Sequence, residues 1–192
     1  MKGIKLQKVK VSCFITILII GLSTVVAQNE QYDRLTSEDY QLINDFYSLV
    51  DNDQPIEVYH RTYFDKGWAK YFMDIDSVLK EGTGIGTSVN DEELKRILSN
   101  DIISDIRNEI INAIPIGINS RKLSDNIKLV KSFDSKQALK DKVVRITNPI
   151  IINNEIAVFR AIRLFEGPIF ILQKKDNKWE VIYAINEWLI FE

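Results

Sequence analysis

The chain has one cysteine, one histidine, four prolines and eight glycines in 192 residues, and each shortage closes off a class of chemistry. The cysteine, Cys13, lies in an N-terminal apolar leader, so the rest of the chain has no thiol for a disulfide framework or a zinc–thiolate site. A lone His60 cannot make a histidine cluster, and no metal is expected. Gly82, Gly84 and Gly86 alternate within Glu81–Asn90. A helical pattern rather than a strand precedes them and no lysine follows, so they match neither the dinucleotide fingerprint nor the phosphate-binding P-loop. They read as a mobile loop, and no cofactor is expected. No serine–histidine–aspartate spacing, internal repeat, low-complexity segment or Asn-x-Ser/Thr acceptor occurs.

Positive charge is concentrated at the start. Met1–Lys10 carries Lys2, Lys5, Lys8 and Lys10 and no acid, and Val11–Val26 is almost wholly apolar. Val25-Val26-Ala27 then places small residues at the −1 and −3 positions of a cut before Gln28. This order is that of a secretory signal peptide over residues 1–27. An uncleaved N-terminal anchor is the alternative, although the apolar run of about 16 residues is short of the roughly 20 that span a bilayer. Cys13 lies near the start of that run and not at its end, so it is badly placed for a lipoprotein cysteine. Cleavage would leave 192 less 27, or 165, residues, with 25 less four, or 21, basic side chains against 27 acidic, a net charge of −6. A domain of that size buries roughly 70% of its surface without disulfides. Its acidic balance gives it no electrostatic reason to hold nucleic acid or an anionic membrane, and membrane contact is expected only through an uncleaved leader.

Taken in order, Thr36 caps a helix over about Ser37–Val50, with Asp39 at the box position and Leu35 and Tyr40 as a hydrophobic staple. Asp51-Asn52-Asp53-Gln54-Pro55 ends it. Ile56 and Thr62 stand where a calcium loop needs glycine and glutamate, so this reads as a solvated turn. Ile56–Phe72 is aromatic and holds His60. His60, Asp65 and Tyr63 are the candidates for acid–base chemistry. Phe64, Trp68, Tyr71 and Phe72 are at helical spacing and read as core. A short helix is predicted over Met73–Lys80. Asn90, with Glu93 three residues on, starts another helix whose apolar stripe runs from Leu94 to Ile111, with a break at Ser99. Pro115 and Gly117 end it. Asn119–Asn126 is a polar link, Ile127–Val130 a first strand, and Phe133–Asp141 a polar loop or helical turn.

Val143–Glu192 is a string of short apolar runs that predicts an antiparallel sheet. Asn148-Pro149 interrupts the strand Val143–Ile152, because proline cannot donate to a ladder. Asn153-Asn154 is a turn, Glu155–Phe165 a strand, Glu166-Gly167-Pro168 a turn and Ile169–Lys174 a strand. Asp176-Asn177-Lys178 connects to a last strand, Trp179–Phe191. Simple alternation puts Trp179, Val181, Tyr183 and Ile185 on one face of that strand, and Ile182, Trp188 and Ile190 on the other. The second face is too apolar to meet water, so a helix, a partner or an apolar ligand should cover it.

The stretches Ile146-Thr147-Asn148-Pro149-Ile150-Ile151, Glu155-Ile156-Ala157-Val158-Phe159 and Lys174-Lys175-Asp176-Asn177-Lys178-Trp179-Glu180-Val181-Ile182, ending near Trp188, resemble a group of uncharacterised exported bacterial single-domain proteins with a C-terminal Lys-Trp hairpin. The same ending is similar to the last hairpin of cone-shaped folds like nuclear transport factor 2, which implies helices closing a curved sheet over a pocket. Neither resemblance supplies a catalytic residue. The expectation is a single α+β domain over 28–192, with N-terminal helices packed on a C-terminal antiparallel sheet of four to five strands. Its expected role is that of an exported, periplasmic or secreted, non-enzymatic binding or interaction protein, taking an unknown protein or small apolar ligand at Ile182, Trp188 and Ile190. The rival is a small enzyme with a cone-shaped pocket using His60 or Asp65, with Tyr63 nearby, as acid or base. A membrane-tethered accessory protein is the third reading, should the leader stay uncut.

Overall fold

Thr36 sets the first helix. Its side chain accepts from the Asp39 N–H at 3.2 Å, and Asp39 Oδ2 accepts from the Thr36 N–H at 2.7 Å and the Thr36 hydroxyl at 2.9 Å. This reciprocal box satisfies donors that a helix start otherwise leaves open. The helix, α1, runs Ser37–Ser48 and buries Tyr40, Leu42, Ile43, Phe46 and Tyr47, with Leu35 buried just before it. Burial pushes the Asp39 carboxyl above its ordinary range, and the Thr36 bonds oppose that rise. A raised folded value means that Asp39 contributes fully below its unfolded value and less as pH rises through the folded one. Thr36→Ala is therefore expected to cost about 1 kcal/mol, read as a lower urea midpoint, with the larger loss at neutral pH.

The computed structural model describes residues 35–48, 55–82, 88–131, 143–162 and 167–185, all in one compact unit that starts at Leu35. The leader, the acidic turn at 51–54, the middle of the glycine segment, the stretch 133–141 and the chain from 186 onward lie outside them. No helix among the described residues is long and apolar enough to cross a membrane.

A five-stranded antiparallel sheet carries the fold. Strands β3 (Arg145–Ile146) and β4 (Ile150–Ile152) both pair with β5 (Ile156–Ile162), which pairs with β6 (Ile169–Lys175), which pairs with β7 (Lys178–Ile185). β3 and β4 are two pieces of the strand that Asn148-Pro149 breaks. Asn153 and Asn154 have φ of 52° and 58°, and Asp176 and Asn177 have 48° and 62°. Left-handed conformations at both central residues match the twist of the flanking strands, and Asn and Asp tolerate them. With helices packed on this sheet, the domain is α+β.

One strand escapes the local pattern. Ile56–Tyr59 forms β1, which pairs in parallel with β2 (Ile127–Val130), Ile56 opposite Ile127. Parallel bridges Val58–Val144 and Tyr63–Thr147 then join this segment to the β3 side of the main sheet. Four residues followed by an aromatic cluster show no sustained period, and their partners are far away in sequence.

Both faces of the sheet are covered by this chain. On one face, α1, β1 and β2 pack over Ala157, Phe159, Ala161, Leu172 and Trp179. Phe46 meets Phe159 edge-on at 5.1 Å. Glu38 ties α1 to the β6–β7 hairpin, accepting from Lys174 Nζ at 2.5 Å and Trp179 Nε1 at 3.0 Å, while Asp45 accepts from the Trp179 N–H at 3.0 Å. The other face is covered by a 3-10 helix (Lys66–Phe72) and by α2 (Ile75–Lys80), α3 (Asp91–Ile97) and α4 (Asn100–Asn112). Asp74, Asn90 and Ser99 cap the three α-helices, accepting from Ser77, Glu93 and Ile102. These elements cover Ile150, Ile152, Ile156, Val158, Ile169 and Ile171.

Strand β7 does not alternate as simple period-two counting predicts. Ile171 pairs with Tyr183 but Leu172 pairs with Val181, so Ile182 is the extra residue of a β-bulge. Trp179 and Val181 face the α1 layer, while Ile182, Tyr183 and Ile185 all face the helical layer. The single face expected for Trp179, Val181, Tyr183 and Ile185 is corrected accordingly. The Ile182 carbonyl accepts from the Ser88 N–H at 3.0 Å, and Gly82 bridges Ile185, so β7 is flanked on its outer edge.

Candidate functional site at the arginine end of the sheet

Register places two arginines on one face. Arg145 lies opposite Ile162, and Arg160 is two residues from Ile162 on the same strand, so both share the face that carries Val158 and Ile156. Diagonal neighbours of this kind stand roughly 7–8 Å apart at the backbone. The helical layer covers Ile156 and Val158, and the arginines occupy the far end of the same face.

The segment before the 3-10 helix meets both arginines. Tyr63 bridges Thr147 in parallel, and Asp65 is extended at φ −151° and ψ 119°. Residues two apart on an extended segment point the same way, so Tyr63 and Asp65 face the sheet together. The Arg145 guanidinium lies over the Tyr63 ring at 4.6 Å from its centroid, and Arg160 Nη1 donates to Asp65 Oδ2 at 3.2 Å. The result is a two-by-two arrangement: a ring under one guanidinium and a carboxylate against the other.

The surroundings hold Arg160 tightly. Its side chain is 4% exposed, against 38% for Asp65. Its Nε donates to the Gly167 carbonyl at 3.0 Å, and its backbone N–H donates to Thr147 Oγ1 at 3.0 Å. A methyl group at Gly167 would stand 2.9 Å from Nη2, so glycine there lets the backbone come close. Asp65 has both oxygens engaged, because Oδ1 caps the 3-10 helix by accepting from the Gly67 N–H at 2.7 Å.

Of the three acid–base candidates, the structure brings Tyr63 and Asp65 onto one side, and His60 stands elsewhere. The His60 N–H donates to the Val130 carbonyl at 3.0 Å and its carbonyl accepts from the Ile118 N–H at 2.9 Å, which fixes it against β2 and the chain after α4. Its ring packs edge-on against Tyr59 at 4.7 Å, and Nδ1 is buried without a hydrogen-bond partner. No hydrogen bond or ion pair joins His60 to Asp65 or Tyr63. Ile182, placed by sequence on a surface that takes a partner, is fully buried beneath the helical layer, which supplies the cover itself. Trp188 and Ile190 lie outside the described residues. Among the described residues no group of three or more histidine, cysteine, aspartate or glutamate side chains is arranged to hold a metal.

The two arginines were missed by sequence reasoning, although one signal was present. In Ile156–Ile162 every residue is buried, and Arg160 is its only charged member. A charge inside such a run must be paired, so it points to a partner from elsewhere in the chain. No protein-family model, curated protein or solved structure matches the chain.

Proposed function

We propose that this chain is an exported, non-enzymatic binding or interaction protein. The observation that carries the non-enzymatic part is Asp65, whose two oxygens are committed to Arg160 and to the helix cap, with His60 held apart from it. General acid–base work needs a group within reach of its substrate and free to exchange a proton. The leader pattern over residues 1–27 supports export.

Two measurements test the two halves. Protein recovered outside the cytoplasm is expected to have an intact mass beginning at Gln28, and a mass beginning at Met1 would overturn the cleaved, exported form. Incubated with ester, phosphoester, glycoside and peptide substrates, the protein is expected to leave all of them unchanged. Turnover that disappears in His60→Ala or Asp65→Asn would establish the rival enzyme.

A further inference from the structure

We infer that strand β2 is a self-pairing edge: it adds antiparallel to β2 of a second copy of this chain, so that the sheet continues across a two-fold axis. This goes beyond the role proposed above and does not rest on it, since such a dimer forms whether or not the chain is an enzyme. β1 is paired on both sides, with β2 on one and with Val144 on the other. The sheet therefore has β2 at one end and β7 at the other. This chain itself flanks the β7 edge, where the Ser88 N–H donates to the Ile182 carbonyl and Gly82 bridges Ile185. Among the described residues no strand or bridge lies on the outer side of β2. The Ile56 N–H donates to the Asn126 carbonyl and the His60 N–H to the Val130 carbonyl, so the even-numbered residues here turn their backbone groups towards β1. By the period of two, the Leu129 and Lys131 N–H groups and the Ile127 and Leu129 carbonyls point outward. Such an edge is a template for another strand.

Three features favour a second copy as the occupant. The outward groups complement themselves. With Leu129 opposite the partner's Leu129, each Leu129 N–H meets the other's carbonyl, and each Lys131 N–H meets the other's Ile127 carbonyl. The Ile127 N–H is not needed, because the Ser124 carbonyl already accepts it at 3.0 Å. Charge then selects this register. Lys128 lies opposite the partner's Val130, whereas shifting one copy by two residues would set Lys128 against the partner's Lys128, and like charges directly opposite destabilise a sheet. The two Lys128 side chains still approach diagonally, but each brings its own counter-charge, Glu57, at 3.0 Å. Finally, Leu129 is half-buried at the rim of the core beneath α1, and the partner's Leu129 extends that core. Growth stops at two chains, because isologous pairing uses up the open edge and the β7 edge is flanked. A short strand carrying a lysine makes a small contact, so the dimer is weak and forms at high concentration.

Sedimentation velocity of the whole protein over a concentration series tests this pairing. The parent is expected to pass from monomer to dimer and no further. In the paired register Val130 faces the partner's Lys128, twice by symmetry, so a charge placed at this position acts according to its sign. Val130→Glu should tighten the dimer and Val130→Lys should weaken it, each by roughly two- to tenfold, the yield of two cross-strand charge pairs. Loss of apolar packing would move both variants the same way, which separates the register from a general effect. Should Val130→Lys fail to fold, tightening by Val130→Glu still carries the test. Lys131→Pro, which removes an outward donor, should also weaken the dimer. A chain that stays monomeric up to about 1 mM overturns the pairing. So do assemblies larger than a dimer, a dimer indifferent to charge at Val130, or one that both charges weaken. None of these results bears on turnover, so the pairing and the non-enzymatic role fail separately.

Discussion

Gly82→Ala is expected to lower stability by about 3 kcal/mol, the upper end of what overpacking usually costs. A methyl group on Gly82 would lie 1.6 Å from Tyr183 Oη, 2.3 Å from Cζ and 2.7 Å from Cε1. The ring cannot step aside easily, because Tyr183 is buried and its strand is paired with β6 through Ile171. Gly82 cannot retreat easily either, since it bridges Ile185 and donates to the Leu79 carbonyl at 3.2 Å. Urea unfolding of Gly82→Ala, Tyr183→Ala and the double variant measures the contact. The double variant should be more stable than the sum of the single losses by at least about 1 kcal/mol, the range in which touching residues couple. Strict additivity would place the two residues out of contact. Tyr183 also bears on alkaline stability. Burial first, and then the Asp91 charge, raise its phenol above the ordinary value. Its contribution is therefore complete below the unfolded value and lost as pH rises through the folded one.

Asp65→Ala is the second large effect, at about 2–3 kcal/mol. Removing one partner of a fully buried ion pair costs about 3–5 kcal/mol, because the charge left behind has lost its compensation. Asp65 is 38% exposed, so water softens the loss and the estimate falls below that range. Part of the cost is the lost cap on Gly67. Asp65→Asn keeps a side-chain oxygen for that cap and should cost less. Adding Arg160→Met to Asp65→Ala should recover part of the loss, since an apolar side chain leaves no buried charge. Failure of the second substitution to recover anything would show that the cap, and not the ion pair, dominates. The surface pair Lys95–Glu92, 41% and 78% exposed, is a useful contrast, because exposed pairs contribute at most about 1 kcal/mol and weaken with salt.

Much of the local structure was legible because it depends on neighbours in the chain. Thr36 with Asp39, Asn90 with Glu93, and the restart at Ser99 all act within three residues, and each forms as its side chain dictates. The turns at Asn153-Asn154 and Asp176-Asn177 and the break at Asn148-Pro149 follow from backbone preferences of single residues. What was not legible depends on register between distant segments. Ile56–Tyr59 becomes a strand only because Ile127–Val130 and Val144 offer it partners. Ile182 is set apart from its strand's alternation only by the way β7 meets β6. Tyr63 and Asp65 were noticed as separate side chains, but the arginines that give them a common setting come from β3 and β5. A candidate site assembled across strands leaves no spacing in the sequence to read.

The bulge at Ile182 also limits how this chain can drift by insertion and deletion. Residues on either side of it keep opposite phase, with Val181 matched to Leu172 and Tyr183 to Ile171. Loss of Ile182 alone would make those two pairs consecutive and leave every other side chain of β7 on its present face. Loss of any single residue inside β6, or of another inside β7, would invert part of the strand and turn apolar side chains from one layer into the other. Within the β6–β7 pair, then, the place that tolerates loss of a single residue lies in the middle of a strand rather than in a turn.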